Sequence, residues 1–129
     1  ASIGFVQQGI QLVLNQGVPA DKIINAVPFY TRVWKTDGGE VTSEALGMEA
    51  TQRFISENGV ETHWDEEACQ NYGEKTMNGI IYQVWIEDNE SIAAKLNVMD
   101  SHNLAGVAEW QLGFEDKSVW DVIESYISK

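Results

Sequence analysis

Two stretches carry side chains whose types and spacing can do chemistry. Phe29-Tyr30-Thr31-Arg32-Val33-Trp34 and Glu109-Trp110-Gln111-Leu112 each follow a short apolar run and set aromatic rings beside hydrogen-bonding groups. That combination suits a sugar, whose CH-rich face stacks on an aromatic ring while its hydroxyls bond at the edge. Trp110, Tyr30, Arg32 and Trp34 are therefore candidate substrate contacts. Each also has a plainer reading: core packing for the rings, pairing with a carboxylate for the arginine. Glu109 beside Trp110 invites a catalytic role, but alternation along a strand turns it to the face opposite Trp110. Asp65-Glu66-Glu67 and Glu87-Asp88 are acidic clusters without the loop spacing of an EF-hand, and they read as solvated turns rather than calcium ligands. Cys69 has no base beside it in sequence, although His63 and His102 lie elsewhere in the chain, so a packed thiol is expected.

The elements that must hold these residues can be read from periodicity. Val6, Ile10, Val13 and Leu14 form one helical face, stopped by Gly17 and Pro19. Lys22 to Tyr30 is a nearly continuous apolar run, which suits a strand buried on both faces in a parallel sheet, with Pro28 marking its end. Thr36-Asp-Gly-Gly-Glu40 is loop by its turn chemistry. Leu46, Ala50 and Phe54 then predict a second helix closed by Asn58-Gly59. Glu61–Trp64, Ala68–Tyr72 and Gly79–Ile86 follow as antiparallel strands of a small α+β unit. Asp88 or Asn89 caps a third helix carrying Ile92, Leu96 and Met99, and Leu104 to Leu112 is the second buried-strand candidate. Ser118-Val-Trp-Asp121 is a capping-box-like start for a last helix. The order is α–β–(α+β)–α–β–α.

Composition narrows the partners. Eight basic against twenty acidic residues give a net charge of −12 and a pI near 4.3, a field that repels phosphate backbones and anionic lipid, so nucleic acid is not expected as a partner. No apolar run approaches the roughly 18 residues of a membrane span. The single cysteine excludes an internal disulfide, and two histidines cannot build a histidine-rich metal cage.

Three segments in order carry a family resemblance. Asp21-Lys-Ile-Ile-Asn-Ala-Val-Pro-Phe-Tyr-Thr-Arg-Val-Trp34 is similar to the seventh barrel strand of glycoside hydrolase family 18, the chitinase family, with its Pro-Phe-Tyr-x-Arg signature. Tyr82-Gln-Val-Trp-Ile-Glu-Asp-Asn-Glu-Ser-Ile-Ala-Ala-Lys-Leu96 resembles the segment leading out of that family's insertion, and Leu104-Ala-Gly-Val-Ala-Glu-Trp-Gln-Leu-Gly113 resembles its eighth strand. The nearest branch is that of bacterial spore and cell-wall N-acetylglucosaminidases. The resemblance implies an α/β chain that is the C-terminal fragment of a (β/α)8 TIM barrel, about its last two βα units. Residues 1–34 would be barrel helix and strand seven, 35–86 a chitinase-type α+β insertion, and 87–129 barrel helix, strand eight and final helix.

What the resemblance implies for function is a glycosidase acting on β-1,4-linked N-acetylglucosamine polymers, chitin or peptidoglycan, by a retaining, substrate-assisted route without cofactor or metal. Trp110 would floor the sugar subsite, with Tyr30 and Arg32 at the rim and Trp34 and Trp85 on the insertion side. The family's acid motif, Asp-x-x-Asp-x-Asp-x-Glu, does not occur at any position of this sequence, so no catalytic residue is expected in the chain and the chain alone is expected to be inactive. A full barrel needs about 250 residues. A wedge of one would expose strand edges and apolar faces and so associate with itself or exchange elements. The family's polymers place the parent outside the cell, in the envelope or in the spore. The rival expectation is a non-catalytic carbohydrate-binding or interaction module.

Overall fold

A computed structural model describes residues 1–129. In chain order the elements are α1 (Ile3–Asn15), β1 (Ile24–Pro28), β2 (Tyr30–Asp37), β3 (Glu40–Gly47), α2 (Met48–Asn58), β4 (Thr62–Asp65), β5 (Gln70–Met77), β6 (Ile80–Ile86), α3 (Asn89–Ser101), β7 (Gly106–Trp110) and α4 (Val119–Ile127). They make two sheets. β1 and β7 pair in parallel, Ile24 opposite Gly106 through Pro28 opposite Trp110. The other five strands form one antiparallel sheet in the order β3-β2-β6-β5-β4.

The parallel pair packs its Val27 face onto the helices. Val27 and Phe29 are almost completely buried with Ile92, Met99 and Val119 in the main core, which also takes Val6 and Ile10 from α1 and Ile123 from α4. Burying each such side chain contributes about 1.5–3 kcal/mol. Pro28 has no N–H to donate, and the chain resumes pairing one residue later, where the Phe29 N–H donates to the Trp110 carbonyl at 2.7 Å. Phe29 then meets Trp120 edge to face, 5.5 Å between ring centroids.

In the five-stranded sheet one face is apolar and covered. Val33, Val84 and Ile86 pack under Phe54 and Ile55 of α2, which Gly59 closes in the left-handed conformation at φ 59°. The opposite face is uncovered. Two-residue turns at Gly38-Gly39 and Asn78-Gly79, all four residues at positive φ, supply the twist that tight hairpins need.

Several boundaries differ from the sequence expectation. The 36–40 stretch is only a hairpin turn, and the strand that follows it, β3, has no counterpart among the expected elements. Its residues are mostly exposed, so no apolar periodicity announces it. The expected division between 34 and 35 falls inside β2, which runs unbroken from Tyr30 to Asp37. Ser118 precedes α4 but does not cap it with its side chain. Instead its N–H and hydroxyl both donate to the Asp116 carboxylate, at 2.9 and 2.6 Å, and these bonds hold the Asp116 pKa below the usual aspartate value. No helix is long and apolar enough to cross a membrane.

Candidate functional site

Alternation on β2 decides which side chains reach the uncovered face. Thr31 and Val33 are buried on the α2 side, so Tyr30, Arg32 and Trp34 project the other way. Trp34 pairs with Gln83 of β6, which puts Trp85, two residues along, on the same face. On the parallel pair, Glu109 is in register with buried Val27 and shares the helix-facing side. Trp110 beside Pro28 therefore faces away from the helices and is 65% exposed. The Trp110–Gln111 peptide bond is cis.

These two surfaces meet around a cavity of about 520 Å³, lined by Tyr30, Arg32, Trp34, Trp85 and Trp110 together with Ala26, Pro28, Gln70 and Glu87. All five residues singled out from the sequence thus border one hollow. Arg32 is anchored through Nε, which donates to Ser43 Oγ of β3 at 3.0 Å, and it makes no ion pair. Its terminal nitrogens make no hydrogen bond within the protein.

The sequence reading of Glu87 as a solvated turn residue is overturned. Glu87 is 2% exposed and its carboxylate is met by Lys95 Nζ at 2.6 and 2.8 Å. Gln70 Nε2 donates to it at 2.9 Å and Ser91 Oγ at 2.8 Å. The Glu87 N–H in turn donates to Thr31 Oγ1 at 2.8 Å. A buried carboxylate must be paired and hydrogen-bonded to be tolerated, and Lys95 and Ser91 of α3, Gln70 of β5 and the Ala1 amino group, 3.3 Å away, do so here. The signal lay in α3: Ser91, Ile92, Lys95, Leu96 and Met99 share its buried stripe, so two polar residues sit where only a buried partner explains them. Asp88 is the residue that caps α3, in a capping box with Ser91. Gln70, also in the cavity wall, was not singled out by sequence and had no signal beyond its place in a strand.

The remaining chemical candidates stay apart. Cys69 Sγ lies 3.5 Å from the Glu66 carbonyl, His63 meets Tyr72 edge to face, and His102 Nδ1 is 2.8 Å from the Val98 carbonyl. No three His, Cys, Asp or Glu side chains group as a metal site would require.

The profile of the glycosyl hydrolases family 18 matches residues 4–115. The chain belongs to glycosyl hydrolase family 18. It is similar to the cortical fragment-lytic enzyme of Bacillus anthracis, 25% identical over 124 residues that cover 94% of this chain and 29% of that protein. A class V chitinase of Arabidopsis thaliana is also 25% identical, over 123 residues, 85% of this chain and 31% of the relative. Among solved structures, the spore cortex-lytic enzyme SleL of Bacillus cereus superposes with a TM-score of 0.85 at 25% identity, covering 97% of this chain and 29% of that one. The chain thus spans between 18% and 40% of the length of the curated relatives it matches. Its mixed α/β fold is that of a portion of their family 18 domains.

Proposed function

We propose that this chain is the C-terminal part of a (β/α)8 glycosidase that cleaves β-1,4-linked N-acetylglucosamine polymers, chitin or peptidoglycan, and that it supplies one wall of the substrate cleft. The observation that carries this is convergence: Trp110 at the C-terminal end of a parallel pair, and Tyr30, Arg32, Trp34 and Trp85 on an uncovered antiparallel face, border the same hollow. Strand C-terminal ends are where barrels keep their sites. Family membership makes a retaining, substrate-assisted reaction the chemistry to expect, with the proton donor carried by a segment outside this sequence. The role of Trp110 is then to stack under the sugar ring, while the Arg32 guanidinium and the Tyr30 hydroxyl bond its edge. The polymers named place the parent outside the cell, in the envelope or in the spore.

The test is Trp110→Ala in the full-length protein, with affinity for chito-oligosaccharides measured by calorimetry. Loss of a central aromatic anchor is expected to weaken binding about ten-fold or more. Unchanged affinity would remove the assignment. Isolated, the chain is proposed to be inactive and to self-associate, since the outer edges of β1 and β7 are unpaired and Ile24 and Trp110 are exposed. Light scattering on the isolated chain should show dimers or larger species, and a monodisperse monomer would contradict this.

A further inference from the structure

One flank of the cavity's rim depends on a single hydroxyl. Tyr30 and Arg32, which border the cavity, stand either side of Thr31 at the start of β2. Toward β3 this stretch is held by main-chain pairing, with Tyr30 opposite Gly47 and Arg32 opposite Ala45. Toward β6 the pairing ends at Val33 opposite Val84, short of the rim. There the chain leaves β6 for α3, and the Glu87 N–H donates to Thr31 Oγ1 at 2.8 Å, in a bond buried from water. Thr31 itself is 1% exposed. A side-chain oxygen thus acts as acceptor where the two strands part.

The donor of that bond is a fixed post. The Glu87 carboxylate is held by Lys95 and Ser91 of α3 and by Gln70 of β5, so its main chain is tied to two elements other than β2. On the far side of Tyr30, the Phe29 N–H joins the Trp110 carbonyl of β7. Thr31 therefore relays the position of α3 and β5 to the two rim side chains that flank it. Packing alone would not call for its hydroxyl, since valine fills nearly the same volume. A buried N–H left without an acceptor, by contrast, loses its hydration with nothing in return. The main chain around Glu87 and Thr31 would then shift to find another partner, and binding groups displaced by a fraction of an ångström lose much of their worth.

Resting on the reading of the cavity as a sugar site, we propose that Thr31 is a positioning residue. Its hydroxyl, bonded to the Glu87 N–H, sets the places from which Tyr30 and Arg32 bond the sugar's edge, and it touches no ligand itself. The buried Glu87–Lys95 pair is the post for that bond, which gives it a part in recognition as well as in stability.

The test uses the full-length protein and a tetramer of β-1,4-linked N-acetylglucosamine, with affinities measured by calorimetry at a temperature where each variant is folded. Thr31→Val keeps the shape and deletes the acceptor, and it should weaken binding about ten-fold. Thr31→Ser keeps the acceptor and should stay within about two-fold of wild type. Gly73→Ala, which loosens the sheet away from the cavity, should bind as wild type does, and this separates positioning from loss of stability. In a background of Tyr30→Phe with Arg32→Ala, adding Thr31→Val should cost less than about two-fold, because the groups through which it acts are already gone. Should Thr31→Val fail to fold, Thr31→Cys takes its place; sulfur is a weak acceptor, and a loss of about three-fold is expected. Wild-type affinity in the variant that lacks the oxygen, an equal loss in Thr31→Ser or in Gly73→Ala, or a full additional loss in the Tyr30→Phe, Arg32→Ala background would overturn the proposal. Undiminished binding by Trp110→Ala, or no binding by the wild type, would instead overturn the cavity reading on which it rests.

Discussion

Replacing Lys95 by Met keeps the length of the side chain and removes the nearer of the two cations on Glu87, the other being the Ala1 amino group at 3.3 Å. Lys95 is 1% exposed and meets both Glu87 oxygens, at 2.6 and 2.8 Å. Breaking a pair this deeply buried costs about 3–5 kcal/mol, because the surviving charge stays out of water uncompensated. Gln70 and Ser91 still donate to the carboxylate, so the lower end, about 3 kcal/mol, is expected. With a slope of about 2 kcal/mol per molar urea, the unfolding midpoint should fall by about 1.5 M. Tryptophan fluorescence during urea titration of the full-length protein reads this directly. Adding Glu87→Gln removes the orphaned charge, keeps an acceptor for Gln70 and turns the second oxygen into an amide N–H that can donate to Ser91 Oγ, so the double variant should recover most of the loss. A Lys95→Met midpoint within about 0.5 M of wild type, or a double variant no more stable than the single one, would refute the buried pair as the tie between β6 and α3.

Two further outcomes follow from the sheet. A Cβ at Gly73 would lie 2.8 Å from Val60 Cγ1 and 3.2 Å from the Glu61 carbonyl oxygen, so Gly73→Ala should cost about 1–3 kcal/mol by overpacking in the same urea assay, and a neutral substitution would show that β4 is not seated as described. Burial, then the hydrogen bond to Glu74, raises the Tyr72 pKa above its ordinary 10.0; the folded state thus favours the neutral phenol, and its contribution to stability is complete below pH 10 and fades as pH rises through the folded value. Ultraviolet titration should show Tyr72 and Tyr126 ionising late, with the Tyr72 part shifted back toward 10.0 by Glu74→Gln, and no difference between Tyr72→Phe and wild type in that late phase would contradict it.

Much of this architecture was legible because it rests on strong local patterns. The α1, α3 and α4 stripes, the two apolar runs that became β1 and β7, and Asn58-Gly59 as a helix stop all follow from side-chain period and turn chemistry. β3 was illegible for the opposite reason: an edge strand exposed on most of its length has no need of apolar alternation, and only Gly38-Gly39 hinted at a hairpin. The extension of β5 to Met77 was hidden too, since Gly73–Met77 gains its strand character from pairing with Val84–Ile80. At the site, aromatic residues at strand ends found the cavity's rim, but Glu87 looked like any acidic turn. Its burial depends on Lys95 eight positions on and Gln70 seventeen back, distances over which sequence pattern carries no sign of contact. Thr31, between two residues that were singled out, was passed over because the Glu87 N–H, 56 positions along the chain, becomes its partner only through the fold.

The junction between the two sheets bears on how a polymer would enter. Gly47, where β3 ends, has so little room beside it that a Cβ would sit 3.0 Å from the Phe114 carbonyl oxygen, and that oxygen accepts the Met48 N–H at 2.7 Å. Met48 itself is sunk in the main core, while the ion pair of Glu87, at the end of β6, with Lys95 of α3 bolts another corner. Held at two corners, the antiparallel unit is a fixed jaw rather than a swinging lid. The width of the groove is therefore set when the chain folds, and under the function proposed above a long glycan strand would be threaded or slid along it without waiting for the protein to open.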